Sequence, residues 1–123
     1  MLHQGSGAII NIASIGGLAG YAGSVDYQAS KGGVVQITRT LAVEWAKRGV
    51  RVNAIAPNPF ETAIVAKLRE KEPTLYYSFN PRTPMGRLGT PEDLVGPAIF
   101  LASDAASMVT GHILAVDGGY LAM

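Results

Sequence analysis

The sequence contains no cysteine, which excludes disulfides, thiolate catalysis and thiolate-ligated zinc and fits a reducing compartment. Charge is also scarce: charged residues make up 15%, and ten basic against nine acidic side chains leave a formal net charge of +1. That balance gives no electrostatic footprint for nucleic acid or an anionic membrane. Long apolar runs are missing too. Gly7 to Ala13 and Leu94 to Ala102 fall short of the roughly 20 residues a spanning helix needs, and Gly96 and Pro97 interrupt the second. The opening Met-Leu-His-Gln-Gly-Ser-Gly has neither a basic region nor an apolar signal core, so a soluble, cytoplasmic protein is the expectation. His3 and His112 lack carboxylate or histidine partners at ligand spacing, which predicts no metal site.

What is present is an apolar chain rich in turns. Hydrophobic residues reach 48% of 123, with 15 glycines and 7 prolines, the composition of one globular domain or part of one. Ala8 to Ala13 is a nearly unbroken apolar run rich in isoleucine, the pattern of a parallel strand covered on both faces. Val34, Val35, Ile37, Thr38, Leu41, Ala42 and Trp45 then recur at helical spacing, predicting a helix from about Tyr27 to Lys47. Val50 to Ala56 reads as a second strand stopped by Pro57, and Thr62 to Lys71 as a short helix. Glu72 to Gly89, with three prolines among Tyr76, Tyr77 and Phe79, reads as a long aromatic loop of the kind that covers binding sites. Thr90-Pro91-Glu92-Asp93 is a helix start, with Thr90 as cap and two acids at the positive dipole end; the helix should reach about Ser103. His112 to Val116 makes a third strand. Three strands alternating with helices predict an α/β fold with a parallel sheet and right-handed crossovers.

No Gly-x-Gly-x-x-Gly follows a first strand here, so the usual pyrophosphate cradle is missing. Gly16, Gly20 and Gly23 follow a strand, but no helix opens directly at them. The chemistry lies instead in Tyr27 and Lys31, which stand at i and i+4 and project from one helix face. A cation fixed beside a phenol favours the phenolate, so the pair can exchange a proton near neutrality. Ser14, at the end of the first strand, stands 13 residues before Tyr27, where a loop can return beside it. Chance supplies about 0.16 Tyr/Lys pairs at this spacing, and requiring the serine as well lowers that to about 0.01.

Ile-Ile-Asn-Ile-Ala-Ser14, Tyr27-x-x-x-Lys31, Val-Arg-Val-Asn-Ala-Ile-Ala-Pro57, Gly86-Arg-Leu-Gly-Thr-Pro-Glu-Asp and Val116-Asp-Gly-Gly stand in the order found in one family. The chain resembles the C-terminal half of a short-chain dehydrogenase/reductase. The resemblance implies the C-terminal part of a Rossmann-like, doubly wound parallel sheet, and hydride transfer between NAD or NADP and a secondary alcohol or ketone. It implies that Tyr27 is the general acid/base, that Lys31 lowers its pKa and holds the nicotinamide ribose, and that Ser14 polarises the substrate oxygen. Pro57, Phe60 (through its backbone) and Thr62 match the segment that meets the nicotinamide carboxamide. Asn58 stands where the family usually has glycine, as a residue that tolerates a left-handed backbone.

The family's glycine fingerprint, its cofactor selector, its Asn-Asn-Ala-Gly segment and its catalytic asparagine have no counterpart in this chain. Asn11 and Asn53, inside strands, are expected to satisfy backbone groups instead. Residues 1–123 are therefore expected to form a single truncated Rossmann-like domain, the catalytic and substrate-binding half, which at full length would assemble as a homodimer or homotetramer. Within the family the motifs are similar to gluconate-type sugar-acid dehydrogenases, with 3-oxoacyl carrier-protein reductases next. The alternative is a non-catalytic fragment that only associates with other subunits.

Overall fold

A computed structural model describes residues 1–78 and 80–123. Three strands, β1 (Gly7–Ile12), β2 (Val50–Pro57) and β3 (Ile113–Val116), form one sheet in the order β1-β2-β3 with both pairs parallel. β1 and β2 are in register from Gly7 opposite Val50 to Ile12 opposite Ile55. The expected α/β fold is therefore present.

Helix α1 (Val25–Trp45) connects β1 to β2, and its buried stripe of Val35, Thr38 and Ala42 has the spacing of one helix face. That stripe meets the even-numbered side chains of β2: Val50 and Val52 pack with Ala42, Ala54 and Ala56 with Val35. The odd-numbered side chains point to the other face, since successive residues of a strand alternate. There, Arg51 donates from both guanidinium nitrogens to the carbonyls of Leu101 (2.8 Å) and Ser103 (3.1 Å), closing the C-terminal end of helix α4 (Val95–Ala102). α1 and α4 thus cover opposite faces of β2, and the sheet is wound on both sides.

α1 begins two residues before the expected Tyr27 and passes through a 3-10 turn, Ala46–Arg48, to Gly49. Gly49 adopts φ +75°, and a Cβ there would lie 2.0 Å from the Gly5 carbonyl oxygen, so glycine is required for this reversal.

Three expectations need correction. β1 is half-buried rather than covered on both faces, because it is the edge of the three-stranded sheet. Between Glu72 and Gly89 the chain is not a plain loop: helix α2 (Ala63–Lys71) is followed by α3 (Pro73–Ser78) and a 3-10 turn at Asn80–Arg82. Pro73, one of the three prolines of that expected loop, opens α3 at the position where its missing N–H is not needed. Tyr76 is buried, Tyr77 stacks edge-on against it at 4.9 Å, and Phe79 lies outside the described residues. Finally, the helix expected from Thr90 begins as a 3-10 turn, Pro91–Leu94, under a capping box in which the Asp93 carboxylate accepts from the Thr90 N–H at 2.8 Å.

Candidate active site

The candidate residues collect at the C-terminal end of the sheet, where open α/β sheets bind ligands. Ser14 follows β1 with extended backbone (φ −165°) and is buried; its Oγ accepts from the Gly16 N–H at 3.1 Å and caps the 3-10 turn Ile15–Gly17. This turn packs directly on α1. A Cβ at Gly17 would come within 2.7 Å of the Lys31 carbonyl oxygen, so the Ser14 turn and the Lys31 turn can touch only through glycine. Tyr27, in the first turns of α1, is 44% exposed, and its hydroxyl makes no hydrogen bond among the described residues.

Lys31 is half-buried. Its Nζ lies 5.9 Å from the centre of the Tyr27 ring and donates to the Ile12 carbonyl oxygen at 3.1 Å. The direction of that carbonyl follows from its own peptide unit. The Ala13 N–H donates to Ile55 on β2 at 2.8 Å, and in a trans peptide C=O and N–H point opposite ways, so the Ile12 carbonyl faces the open side of β1. Lys31 thus caps the last outward carbonyl of the sheet edge, two residues before Ser14.

The second group lies at the end of β2. Pro57 closes the strand; Phe60 is buried and forms an isolated parallel bridge with Gly89, whose Cβ, if present, would strike the Phe60 ring at 2.5 Å. Thr62 caps α2, its Oγ1 accepting from the Val65 N–H at a long 3.4 Å. Asn58 does not adopt the left-handed backbone expected of it: no described non-glycine residue has positive φ. Its side chain works instead as a tie. Nδ2 donates to Thr83 Oγ1 at 2.9 Å and to the Asp117 carbonyl at 3.3 Å, while Oδ1 is buried without a partner among the described residues. Asn53 bonds backbone groups of Val109 and His112, as expected, whereas Asn11 donates to the Thr38 hydroxyl at 2.9 Å.

Two further contacts had no sequence signal. Tyr76 donates to the Glu61 carboxylate, tying α3 to the segment just before Thr62; that hydrogen bond, with burial, pushes the Tyr76 hydroxyl pKa above its ordinary value, against the nearby Arg69 guanidinium. Gln28, the residue after Tyr27, grips the backbone of Tyr21 through both ends of its carboxamide. The first link depends on how two helices fold back. The second needs a loop return that no periodicity encodes.

The donor set fits one end of a nicotinamide cofactor. Lys31 is a cation with no carboxylate against it among the described residues, and beside it stands a phenol with an uncommitted hydroxyl; Thr62, which only accepts, keeps its O–H to donate. The glycines of the 14–24 loop do not fit the other end. Where Gly16 and Gly17 would carry Cβ atoms lie the Tyr21 hydroxyl and the Lys31 carbonyl, each at 2.7 Å, so these glycines serve internal packing rather than a phosphate cradle. Among the described residues no three metal-ligating side chains gather, and no helix is long and apolar enough to cross a membrane.

Comparison with known proteins gives the family and supports the fold. A family model described as enoyl-(acyl carrier protein) reductase matches residues 1–121. The chain is 52% identical to galactitol 2-dehydrogenase (L-tagatose-forming) of Cereibacter sphaeroides, over 98% of this chain and 48% of that protein. It is 48% identical to 2-dehydro-3-deoxy-D-gluconate 5-dehydrogenase of Escherichia coli, again over 98% of this chain and 48% of the relative. Among solved structures, gluconate 5-dehydrogenase from Burkholderia cenocepacia, in complex with NADP and tartrate, superposes with a TM-score of 0.93 at 37% identity, covering 99% of this chain and 48% of that one. The chain therefore spans about half the length of the curated relatives it matches. With the family model covering residues 1–121, the chain belongs to the short-chain dehydrogenase/reductase family.

Proposed function

We propose that the protein is an NAD(P)-dependent oxidoreductase acting on a secondary alcohol or ketone, with a polyol or sugar acid as the substrate class. The observation that carries this reading is the placement of Tyr27 and Lys31 by one turn of α1 against the end of β1, with the lysine ammonium fixed on the Ile12 carbonyl. Tyr27 gives or takes the proton at the substrate oxygen. Lys31 supplies positive charge beside the phenol, stabilising the negative charge that develops on Tyr27 Oη as its proton leaves. Its remaining N–H groups are donors for ribose hydroxyls. Ser14, whose Oγ is oriented by the Gly16 N–H, donates its own proton toward the substrate oxygen. Pro57, Phe60 through its backbone and Thr62 form the wall for the carboxamide end. The nicotinamide, when bound, supplies or accepts the hydride.

Residues 1–123 then act as the catalytic and substrate-binding part of a longer Rossmann-like domain. Two observations support this: the outward side of β1 is unpaired among the described residues, and Gly16 and Gly17 are taken up by internal packing rather than by a phosphate cradle. Exposed Ile37 and Val43 on α1 support a homo-oligomer. Polyols and sugar acids are favoured because the galactitol and gluconate dehydrogenases above are relatives along the whole chain.

The test is steady-state turnover of galactitol and D-gluconate with NADP by the full-length protein as its gene encodes it. Tyr27→Phe should lower turnover by about 10²-fold or more, the usual weight of an acid/base group, with NADP affinity within about twofold. Lys31→Ala should lower both. A Tyr27→Phe protein that keeps more than about a tenth of wild-type turnover would refute the assignment.

A further inference from the structure

We infer that Gln28 is a positioning residue of this site, holding Ser14 and Tyr27 in their working relation through the loop between them; the inference rests on the roles proposed above for those two residues. The Gln28 carboxamide binds the backbone of Tyr21 at both ends. Oε1 accepts from the Tyr21 N–H at 3.0 Å, and Nε2 donates to the Tyr21 carbonyl at 2.6 Å. Nε2 also reaches the Ser24 carbonyl at 3.3 Å and the Ser24 hydroxyl at 3.0 Å. One N–H donor on one side and three acceptors on the other fix which end of the amide is which. Ser24 occupies the N-cap position of α1, yet its side chain makes no capping bond; its hydroxyl is used by Gln28.

From Tyr21 the contact continues to Ser14. A Cβ on Gly16 would lie 2.7 Å from the Tyr21 hydroxyl, so the ring of the clamped residue rests against Gly16. Gly16 is the residue whose N–H holds Ser14 Oγ at 3.1 Å. A continuous path of packing and hydrogen bonds thus runs from the residue beside Tyr27 to the atom that orients Ser14. Gly20 and Gly23, within or next to the same loop, meet little: the nearest atom to a Cβ on Gly20 is Gln28 Oε1 at 3.9 Å, and nothing lies within 4 Å of one on Gly23. Side chains crowd neither of these two positions. The side-chain hydrogen bonds that hold Tyr21 come from the carboxamide.

Gln28 touches neither Lys31 Nζ nor the end of β2, so its removal should affect orientation of substrate but not cofactor binding. In the full-length protein, Gln28→Ala should lower kcat for galactitol or D-gluconate by about tenfold or more, consistent with a misplacement of order 1 Å, with NADP Kd within about twofold. Hydrogen exchange should show the Tyr21 amide losing protection. Gln28→Glu keeps the size and the acceptor, loses the donations and sets a carboxylate against the Tyr21 and Ser24 carbonyls; it should show the same kcat loss and serves if the alanine protein does not fold. A kcat within twofold of wild type once Tyr21 protection is lost overturns the inference. So does a joint fall of kcat, NADP affinity and Tm in both variants, which would make Gln28 merely structural. Tyr27→Phe assayed in parallel separates the two readings: if it is inactive while Gln28→Ala is fully active, only the clamp is refuted, whereas an active Tyr27→Phe refutes the proposed function itself.

Discussion

β1 and β2 lie side by side in register, are written in nearly the same apolar alphabet, and end in the two halves of the candidate site, yet their surroundings differ. Val52, Ala54 and Ala56 on β2 are fully buried and Ile55 is 2% exposed, whereas Ile12 at the end of β1 is 55% exposed. The residues at the end of β2 are held by a backbone bridge, Phe60 with Gly89, and by short polar side chains, the Asn58 tie and the Thr62 cap. Those at the end of β1 are held by long side chains gripping backbone groups, Lys31 on Ile12 and Gln28 on Tyr21. The difference matches the chemistry proposed for each. A wall for a flat ring needs shape, while a proton-transfer pair needs charge and orientation near solvent. Side chains anchored to backbone supply both without full burial.

The sharpest way to break this comparison is to truncate one isoleucine on each strand. Ile55→Ala, in the covered centre of the sheet, should cost about 3 kcal/mol, the usual range for a large-to-small change that leaves a cavity. Ile12→Ala, largely exposed, should cost about 0.5 kcal/mol or less. Urea unfolding of the two variants measures the difference, and equal costs would show that β1 is covered in solution.

That contrast was only half legible in the sequence. The strand character of Val50 to Ala56, buried at every position but Arg51, and the i, i+4 pairing of Tyr27 with Lys31 follow from residue type and local geometry, so the sequence exposes them. Ala8 to Ile12 shows the same pattern as β2 because composition records what a strand is built to face, not which neighbours stand beside it. Ser14 was legible as a strand end, but its anchoring through Gly16 was not. Pro73 misled because a proline stops one helix and starts the next with equal ease. Asn58 misleads in another way: its residue type suits a left-handed backbone, but its amide instead bonds Thr83, 25 residues away. Glu61 with Tyr76 and Gln28 with Tyr21 are tertiary pairs set by how helices and loops turn back.

The edge of β1 offers a second, finer test. The bond from the Ala13 N–H to Ile55 sets the parity of the strand, so the N–H groups of Ile9, Asn11 and Ala13 face β2 and those of Ala8, Ile10 and Ile12 face outward. In this chain, amide exchange should alternate along the strand, the outward set exchanging at least about tenfold faster than the paired set, which corresponds to roughly 1.4 kcal/mol of protection. Uniform protection would mean that the outward side is paired in solution, by a second copy or by a further strand. Exposed edges that carry Ile10 and Ile12 invite such pairing, and the Lys31 cap on the Ile12 carbonyl opposes it.

The smallest expected effect is a pH dependence that belongs to the β2 side alone. Gly89, which bridges Phe60, lies between Arg87 and Thr90, and both of these bond the Asp93 carboxylate: Arg87 at 2.7 and 3.1 Å, the Thr90 N–H at 2.8 Å. Chiefly through the Arg87 hydrogen bond, the Asp93 pKa is pushed down from 3.8 to about 2. A carboxylate more acidic in the folded state binds fewer protons there than when unfolded, so the stabilisation is complete above the ordinary carboxyl range and is lost as pH falls from about 4 towards 2. Asp93→Asn should therefore lower Tm at pH 7 by a few degrees at most, since the pair is exposed and screened by salt. The gap between variant and wild type should close as pH drops below about 4, and it should shrink in high salt. The Ser14 and Lys31 anchors contain no carboxylate, so exchange of the Gly16 and Tyr21 amides should be unchanged in the same variant. A pH-independent gap would show that the ionised carboxylate is not what Asp93 contributes, and loss of protection at Gly16 would show that the two strand ends are mechanically coupled rather than separately held.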